Sequence, residues 1–489
     1  MKKKYIILSI ITLVLLIAFV TSFNYFKTSN TYVENNSNNQ TKITKGISMN
    51  LEQTAGAGDY KQVTQSSWPT EGYKFNAELS KCENGGEISW DDTKKAVIVS
   101  GNLSDKCYVY FDIYQLTLAE YIKSQYTGTQ GDNALYYHNS TLTNGAGDNS
   151  YRYAGGDYVL TEAGKATGAT MMIGYNNSVT TALIDFYCNG TKQYVGYASS
   201  CSTSHYYLIK GDTTQYQTYN EALNASVEKG YLTKDNVKNF VCFGSDATTC
   251  PTENLYRIIG VFNNHVKLIK YDYAKSSLLG TDGDFSQEYT SNYFSGEQGE
   301  SPSSNSLYYW NNAGTNTWSA SKLNTVNLNT NFTTNIGTAW ANKIATTTWK
   351  VGGGTYANLR DAVPKTAYQY EVGSSASTTT YDAKIGLMYV SDYYYSASPS
   401  AWTLVGYNSD YTKSYASAKG ENWLYGGGWD WTISRNSGNS FNAFSVYNYG
   451  YVYRYDVSDG IGVRPSFSLL SSTTYVSGSG SMSDPVRIN

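Results

Sequence analysis

Charge is scarce in this chain and nearly cancels: 15% of its 489 residues are charged, with a net charge of −3. A nucleic-acid binder needs a basic face to neutralise phosphates, and none stands out here. Histidine is rarer still, and His138, His205 and His265 stand far from any plausible nucleophile or second metal ligand. No G-x-x-x-x-G-K phosphate cradle and no G-x-S-x-G elbow occurs. The glycine runs "VGGGTY" and "YGGGWDW" lack the lysine and the strand–helix context, and read as turns. No cysteine follows Cys250, and the spacing of the earlier ones offers no zinc site. "TDGDFSQE" supplies Asp282, Asp284 and Glu288, but not at calcium-loop spacing. Asp430 and Glu421 could form a carboxylate pair of the glycosidase kind, though nothing in the sequence fixes their separation. No cofactor and no metal is expected.

What the chain has in excess is tyrosine, 49 copies, among many Asn, Thr, Ser and Gly. Tyrosine is amphipathic with two soft torsions, which suits sheet surfaces and binding surfaces equally. With 40% of residues hydrophobic, disorder is excluded for most of the length. The start, "MKKKYIILSIITLVLLIAFVTSF", sets lysines before an apolar run over residues 5–23. That approaches the roughly 20 residues a membrane-crossing helix needs. The lysines hold that end in the cytoplasm, so the remainder lies outside. A cleaved signal peptide is the other reading, with Val20 and Ser22 as the cleavage pair. Both export the chain, and a retained plasma-membrane anchor is the reading preferred. Export fits six cysteines, whose simplest pairing joins sequence neighbours: Cys82 with Cys107, Cys188 with Cys201, Cys242 with Cys250.

The chain reads as an α+β protein in sections. Residues 1–26 form the anchor or signal segment, and the Asn-rich residues 27–55 a flexible stalk. Residues 56–114 alternate apolar and polar between turns, as a small disulfide-stapled β-sandwich-like module. Residues 115–240 form a loop-rich connection with two helices, "LTLAEYIKSQY" and "YNEALNASVEKG", the second capped by Gly230. Residues 241–489 form the last domain. It opens on "LYRIIGVFNNHVKLIKYD", a hairpin turning at Asn263-Asn264. Leu328, Phe332, Ile336, Trp340 and Ile344 share one helix face, and "AKIGLMYVSDYYY" reads as a buried strand.

In that domain the order "LYRIIGVF", "VKLIK", a Trp/Asn-rich helix, "KIGLMYV", "NWLYGGGWDWTISR" and "GIGVRPSFSL" resembles C-terminal domains of unknown function in surface proteins of Gram-positive bacteria. The closing pattern in turn looks like that of the C-type-lectin-like and formylglycine-generating-enzyme fold. The resemblance covers about residues 240–489 and implies a C-type-lectin-like domain. The enzymes of that fold work through cysteines near its end, and this chain has none there. The resemblance therefore favours a non-catalytic binder.

The tyrosines concentrate in "YNYGYVYRY", residues 447–455. As one continuous strand it would place the tyrosines on one face. The family pattern favours a hairpin turning near Asn448–Gly450. Either geometry leaves tyrosines and an arginine beside tryptophans, the composition of an interface hot spot. The expected ligand surface is Trp429, Trp431, Tyr447, Tyr449, Tyr453, Arg454 and Tyr455. Beneath it lie Ile433, Phe444, Val446, Val452 and the closing "GVRPSF", with Arg464 as a structural residue holding carbonyls or a carboxylate. The expected function is surface-anchored recognition or adhesion, with an extracellular protein or glycan as partner. The alternatives are a structural subunit of a surface fibre or pilus-like assembly, and a cryptic enzyme on the same fold.

Overall fold

The computed structural model describes the strand Asn30–Tyr32, residue 201 and residues 46–64, 68–69, 72–101, 105–173, 182–193, 204–289 and 305–489. The proposed membrane segment lies outside the described residues. Among those described, no helix is long and apolar enough to cross a membrane. The chain divides into two compact units, one ending at Gln115 and the other starting at Leu116.

Among its described residues the first unit contains two sheets. One has three strands in the order Asn30–Tyr32, Ala96–Ser100, Glu87–Asp91, and the other four, Tyr60–Val63, Ile47–Glu52, Cys107–Ile113, Tyr73–Cys82. Alternate side chains Met49 and Leu51, Val97 and Val99, Val109 and Phe111 are buried and form one core with Trp68, as a period of two requires. Strands therefore occupy part of the segment read as a stalk. "ISMNLE" is the strand Ile47–Glu52, which pairs in parallel with Cys107–Ile113. Its alternation is masked in sequence because the polar partners Asn50 and Glu52 are also buried. Glu52 accepts from the backbone N–H groups of Gly58 and Ile113 at 3.0 and 2.9 Å. Cys82 and Cys107 are bonded and lie directly opposite across the ladder.

The second unit is built on a seven-stranded sheet. Its path runs Ile385–Gly386, Ser466–Ser468, His265–Lys270, Leu255–Phe262, Tyr151–Tyr153, Leu135–Tyr137. The hairpin at its centre turns at Asn263 and Asn264, both at positive φ (48° and 65°), the backbone that a two-residue primed turn demands. Residues 115–240 are less loop-like than their sequence implies. Two of their strands join the main sheet. Others make a five-stranded sheet around Ala182–Cys188, and Leu183, Phe186 and Ile209 share a core with Tyr219 and Leu223 of the helix Tyr219–Glu228. Most of these strands span only two or three residues, too short to show alternation, although Ala182–Cys188 and His205–Ile209 are longer. Disulfides Cys188–Cys201 and Cys242–Cys250 complete the set.

Two elements differ from expectation in type. "AKIGLMYVSDYYY" gives the short strand Ile385–Gly386 and then a helix, Val390–Tyr395, buried at every residue. A wholly buried helix has no polar stripe, so its apolar run mimics a central strand. The Asn/Thr-rich helix begins earlier than expected and is wide: Leu323–Phe332 is a π-helix, followed by a break at Gly337 (φ +83°). Its asparagines explain how so weak a helix former holds. Asn327 donates to the carbonyls of Leu279 and Asp282 and accepts from Asp284 N, while Asn329 exchanges hydrogen bonds with Ile385. Leu328 and Phe332 face the core. Four buried tryptophans tie that core to the backbone through their indole N–H groups: Trp310 to Thr432, Trp349 to Ala383, Trp423 to Tyr153, Trp431 to Tyr308.

Candidate functional site

A three-stranded antiparallel sheet, Asp430–Arg435, Asn442–Val446 and Val452–Asp456, carries the tyrosine-rich stretch. The stretch is a hairpin: Tyr447 N–H donates to Tyr451 O at 2.8 Å and Gly450 N–H to Tyr447 O at 2.7 Å. Gly450 sits at φ +84°, and a Cβ there would stand 2.7 Å from Lys419 Cβ, so the turn needs glycine twice over. Tyr393 holds it from below, donating from its hydroxyl to Gly450 O at 2.7 Å. Ile433, Phe444, Val446 and Val452 are buried beneath.

The tyrosines pack on one another. The ring of Tyr447 stacks with those of Tyr451 and Tyr455, at 4.8 and 5.9 Å between centroids. Tyr449 meets Tyr447 edge-on at 5.0 Å, and Trp429 does so at 5.4 Å. Two residues not anticipated from sequence extend the cluster: Tyr407 lies 5.1 and 5.3 Å from Tyr451 and Tyr453, and Tyr411 stacks on Tyr451 at 5.7 Å. Tyr447, Tyr449, Tyr453, Tyr455 and Trp429 are half-buried, while Tyr451 is buried. Burial, then interaction with Tyr447, drives the Tyr451 and Tyr455 phenols far upward, so both stay protonated and able to donate.

Trp431 is the clear departure. It is fully buried in a strand covered on both faces, so it belongs to the core and leaves the candidate surface. Arg454 shares strand parity with Val452, whereas Tyr453 and Tyr455 take the opposite parity. Its guanidinium lies 6.0 Å from the Tyr356 ring and 5.9 Å from that of Tyr453, and its Nε is enclosed with no hydrogen-bond partner among the described residues. The closer cation is Arg360, 4.3, 5.2 and 5.4 Å from the rings of Tyr356, Tyr407 and Tyr453. A lone arginine outside the tyrosine-rich stretch gives no sequence signal of this.

Arg464 is structural, as its sequence context implied: Nε donates to Asp430 Oδ2 and Nη2 to Leu424 O, both at 2.6 Å. Burial pushes the Asp430 carboxyl up, to about 6, while Arg464 pulls it back. Asp430 is thus committed to an ion pair, while Glu421 accepts from the Ser400 hydroxyl at 3.4 Å. Among the described residues no group of acidic, histidine or cysteine side chains could hold a metal. Asp284 accepts from the backbone of Asn312 and Leu323, and Glu288 from Ser306.

One buried carboxyl near this sheet should make stability depend on pH. Glu371 accepts from Val390 N at 2.9 Å, from Ser391 N at 2.7 Å and from the Ser434 hydroxyl. Burial raises its pKa from 4.5 to about 7 against those hydrogen bonds. Between these values the folded chain keeps a proton that the unfolded chain has lost, so stability falls as pH rises through the window. The full swing from this group is about 3 kcal/mol, from 1.36 kcal/mol per pKa unit. Urea unfolding at stepped pH should show that fall, and Glu371→Gln should flatten it. An unchanged slope in the variant would assign it elsewhere.

Comparison with known proteins finds no matching family model, no similar curated protein and no similar solved structure.

Proposed function

We propose that this chain is a surface-anchored, non-catalytic recognition protein whose tyrosine hairpin binds an extracellular protein or glycan, on a C-type-lectin-like scaffold. One observation carries the reading: a cluster of half-buried, mutually stacked tyrosines flanked by two arginines, Arg360 and Arg454. Stacking freezes the rings before a partner arrives, which lowers the entropic cost of binding. Tyrosine and arginine are also the side chains that dominate interface energetics. The binding surface is then Trp429, Tyr447, Tyr449, Tyr453, Tyr455 and Arg360, while Arg454 takes the other face of its strand. The scaffold reading is supported by the return of Ser466–Ser468, just after "GVRP", into the sheet beside His265–Lys270. The lysine-flanked apolar start and three disulfides support export with the bulk outside.

The test begins with an array of glycans and extracellular proteins probed with the full chain. For the ligand found, Tyr453→Ala should weaken binding by about 30-fold, equivalent to a 2 kcal/mol hot spot. The same change should cost only about 1 kcal/mol of stability. External protease on intact cells should remove both the chain and the binding. Unaltered affinity in Tyr453→Ala, or full protection from protease, would overturn the site or the topology respectively.

A further inference from the structure

The second unit also holds a pocket of about 260 Å³, and no tyrosine of residues 407–411 or 447–455 lines it. Its polar wall includes two ion pairs. Arg152 Nη2 lies 2.6 Å from Asp148 Oδ2, and Lys267 Nζ lies 2.5 Å from Asp392 Oδ2. Both cations are almost wholly enclosed, at 2% and 7% exposure. Its apolar wall is aromatic: Trp349, Tyr368 and Tyr389. The Lys267 ammonium stands 4.6 Å from the Tyr389 ring and 5.3 Å from that of Trp349, and the Arg152 guanidinium 5.3 Å from that of Tyr368.

Hydrogen-bond accounting shows what the wall still lacks. Arg152 spends Nε on Ser150 and Nη2 on Asp148, which leaves Nη1 with no bond among the described residues. Lys267 spends one of its three donors, on Asp392. Asp392 Oδ2 accepts from Lys267 and from Tyr389 N, while Oδ1 accepts from nothing described. Arg152, Lys267 and Asp392 all line the cavity. Donors and acceptors of both kinds are therefore unspent beside one small space.

Charge, by contrast, is already balanced. Two cations face two carboxylates, and Asp392 acts on Arg152 as well as on Lys267. Against the cost of burial, Arg152 and the Ser150 hydrogen bonds hold Asp148 down at about 2, so it remains a carboxylate. Behind Arg152, burial and then the arginine's charge push His138 well below its usual range, so it stays neutral. An anionic ligand would meet Asp148 and Asp392, and a cationic one would meet Arg152 and Lys267. Either would unbalance an enclosed neutral set, which is costly in low dielectric. A neutral ligand carrying vicinal hydroxyls does not, since each hydroxyl both donates and accepts. The volume falls just below the roughly 300–1,000 Å³ of drug-sized sites, which limits the occupant to one ring.

We propose that this pocket binds a single neutral pyranose unit, its hydroxyls bridging Arg152, Lys267 and Asp392 and its apolar ring face lying on the aromatic wall. The site is independent of the tyrosine hairpin.

Saturation-transfer NMR and calorimetry on the full chain test this, with methyl glucoside, methyl galactoside and N-acetylglucosamine as neutral probes and glucuronate and glucosamine as charged ones. At least one neutral probe should bind with Kd of about 1 mM or tighter, and the charged sugars about 10-fold or more weaker. Tyr368→Ala, at a half-buried wall position, should weaken that binding by about 10-fold or more. The double variant Lys267→Met with Asp392→Leu removes the ion pair without stranding a charge. It should abolish binding; if it fails to fold, Tyr368→Ala decides. Tyr453→Ala should leave sugar binding intact, which separates failure here from failure of the hairpin site. The proposal is overturned if no neutral sugar binds, if a charged sugar binds more tightly, or if Tyr368→Ala has no effect.

Discussion

Replacing Trp431 with alanine should lower the stability of the second unit by about 3–5 kcal/mol. The indole is fully buried, in a strand buried at every position but its last. Its Nε1 donates to Tyr308 O at 2.9 Å. That carbonyl also accepts from Ile461 N at 3.0 Å, so the loss falls mainly on packing and the cavity rather than on a stranded acceptor. Trp431→Phe, which fills much of the volume, should therefore recover most of the loss. Urea unfolding of the whole chain, followed by tryptophan fluorescence, reads both variants. Stability within about 0.5 kcal/mol of the unaltered chain is the mark of a surface position, and would place Trp431 back among the exposed aromatics.

Arg464→Ala should cost a similar 3–5 kcal/mol by a different route. It leaves Asp430 buried without its cation, and Asp430 Oδ1 already has no partner among the described residues. Arg464→Lys should rescue little. One ammonium cannot reproduce the fork that reaches Asp430 and Leu424 O together. Removing both charges, with Arg464→Met and Asp430→Leu, should recover much of the loss, because a buried pair exchanged for apolar groups of similar volume is often neutral. The signature is a strongly non-additive cycle. Additive single costs would mean that the two side chains do not act as a pair.

Where local chemistry dictates the backbone, the sequence was legible. The alternating module strands, the Asn263-Asn264 turn and the cysteine pairing were all readable. So were the helices opened by Thr117 with Glu120 and by Thr218 with Glu221, each a reciprocal cap. Legibility ended where burial covers both faces of an element. The helix Val390–Tyr395 looks like a strand, and Trp431 looks like its half-exposed neighbour Trp429, because nothing local says which apolar residue has a second layer above it. The candidate surface was half legible for a related reason. Tyr447 to Tyr455 announce themselves by density, while Tyr407, Tyr411 and Arg360 reach the cluster only through the tertiary fold. The pocket around Arg152 and Lys267 had no sequence signal, since it gathers residues as far apart as Asp148 and Ser468.

Hydroxyl-radical footprinting of the full chain with and without its array-identified ligand tests most directly whether the tyrosine hairpin meets the partner. Tyrosine side chains report their own solvent contact in that experiment. Tyr447, Tyr449, Tyr453 and Tyr455, half-buried in the free protein, should lose reactivity on binding, while an exposed residue elsewhere such as Tyr370 keeps its own. Unchanged reactivity at those four tyrosines, with protection appearing at another surface, would contradict the claim.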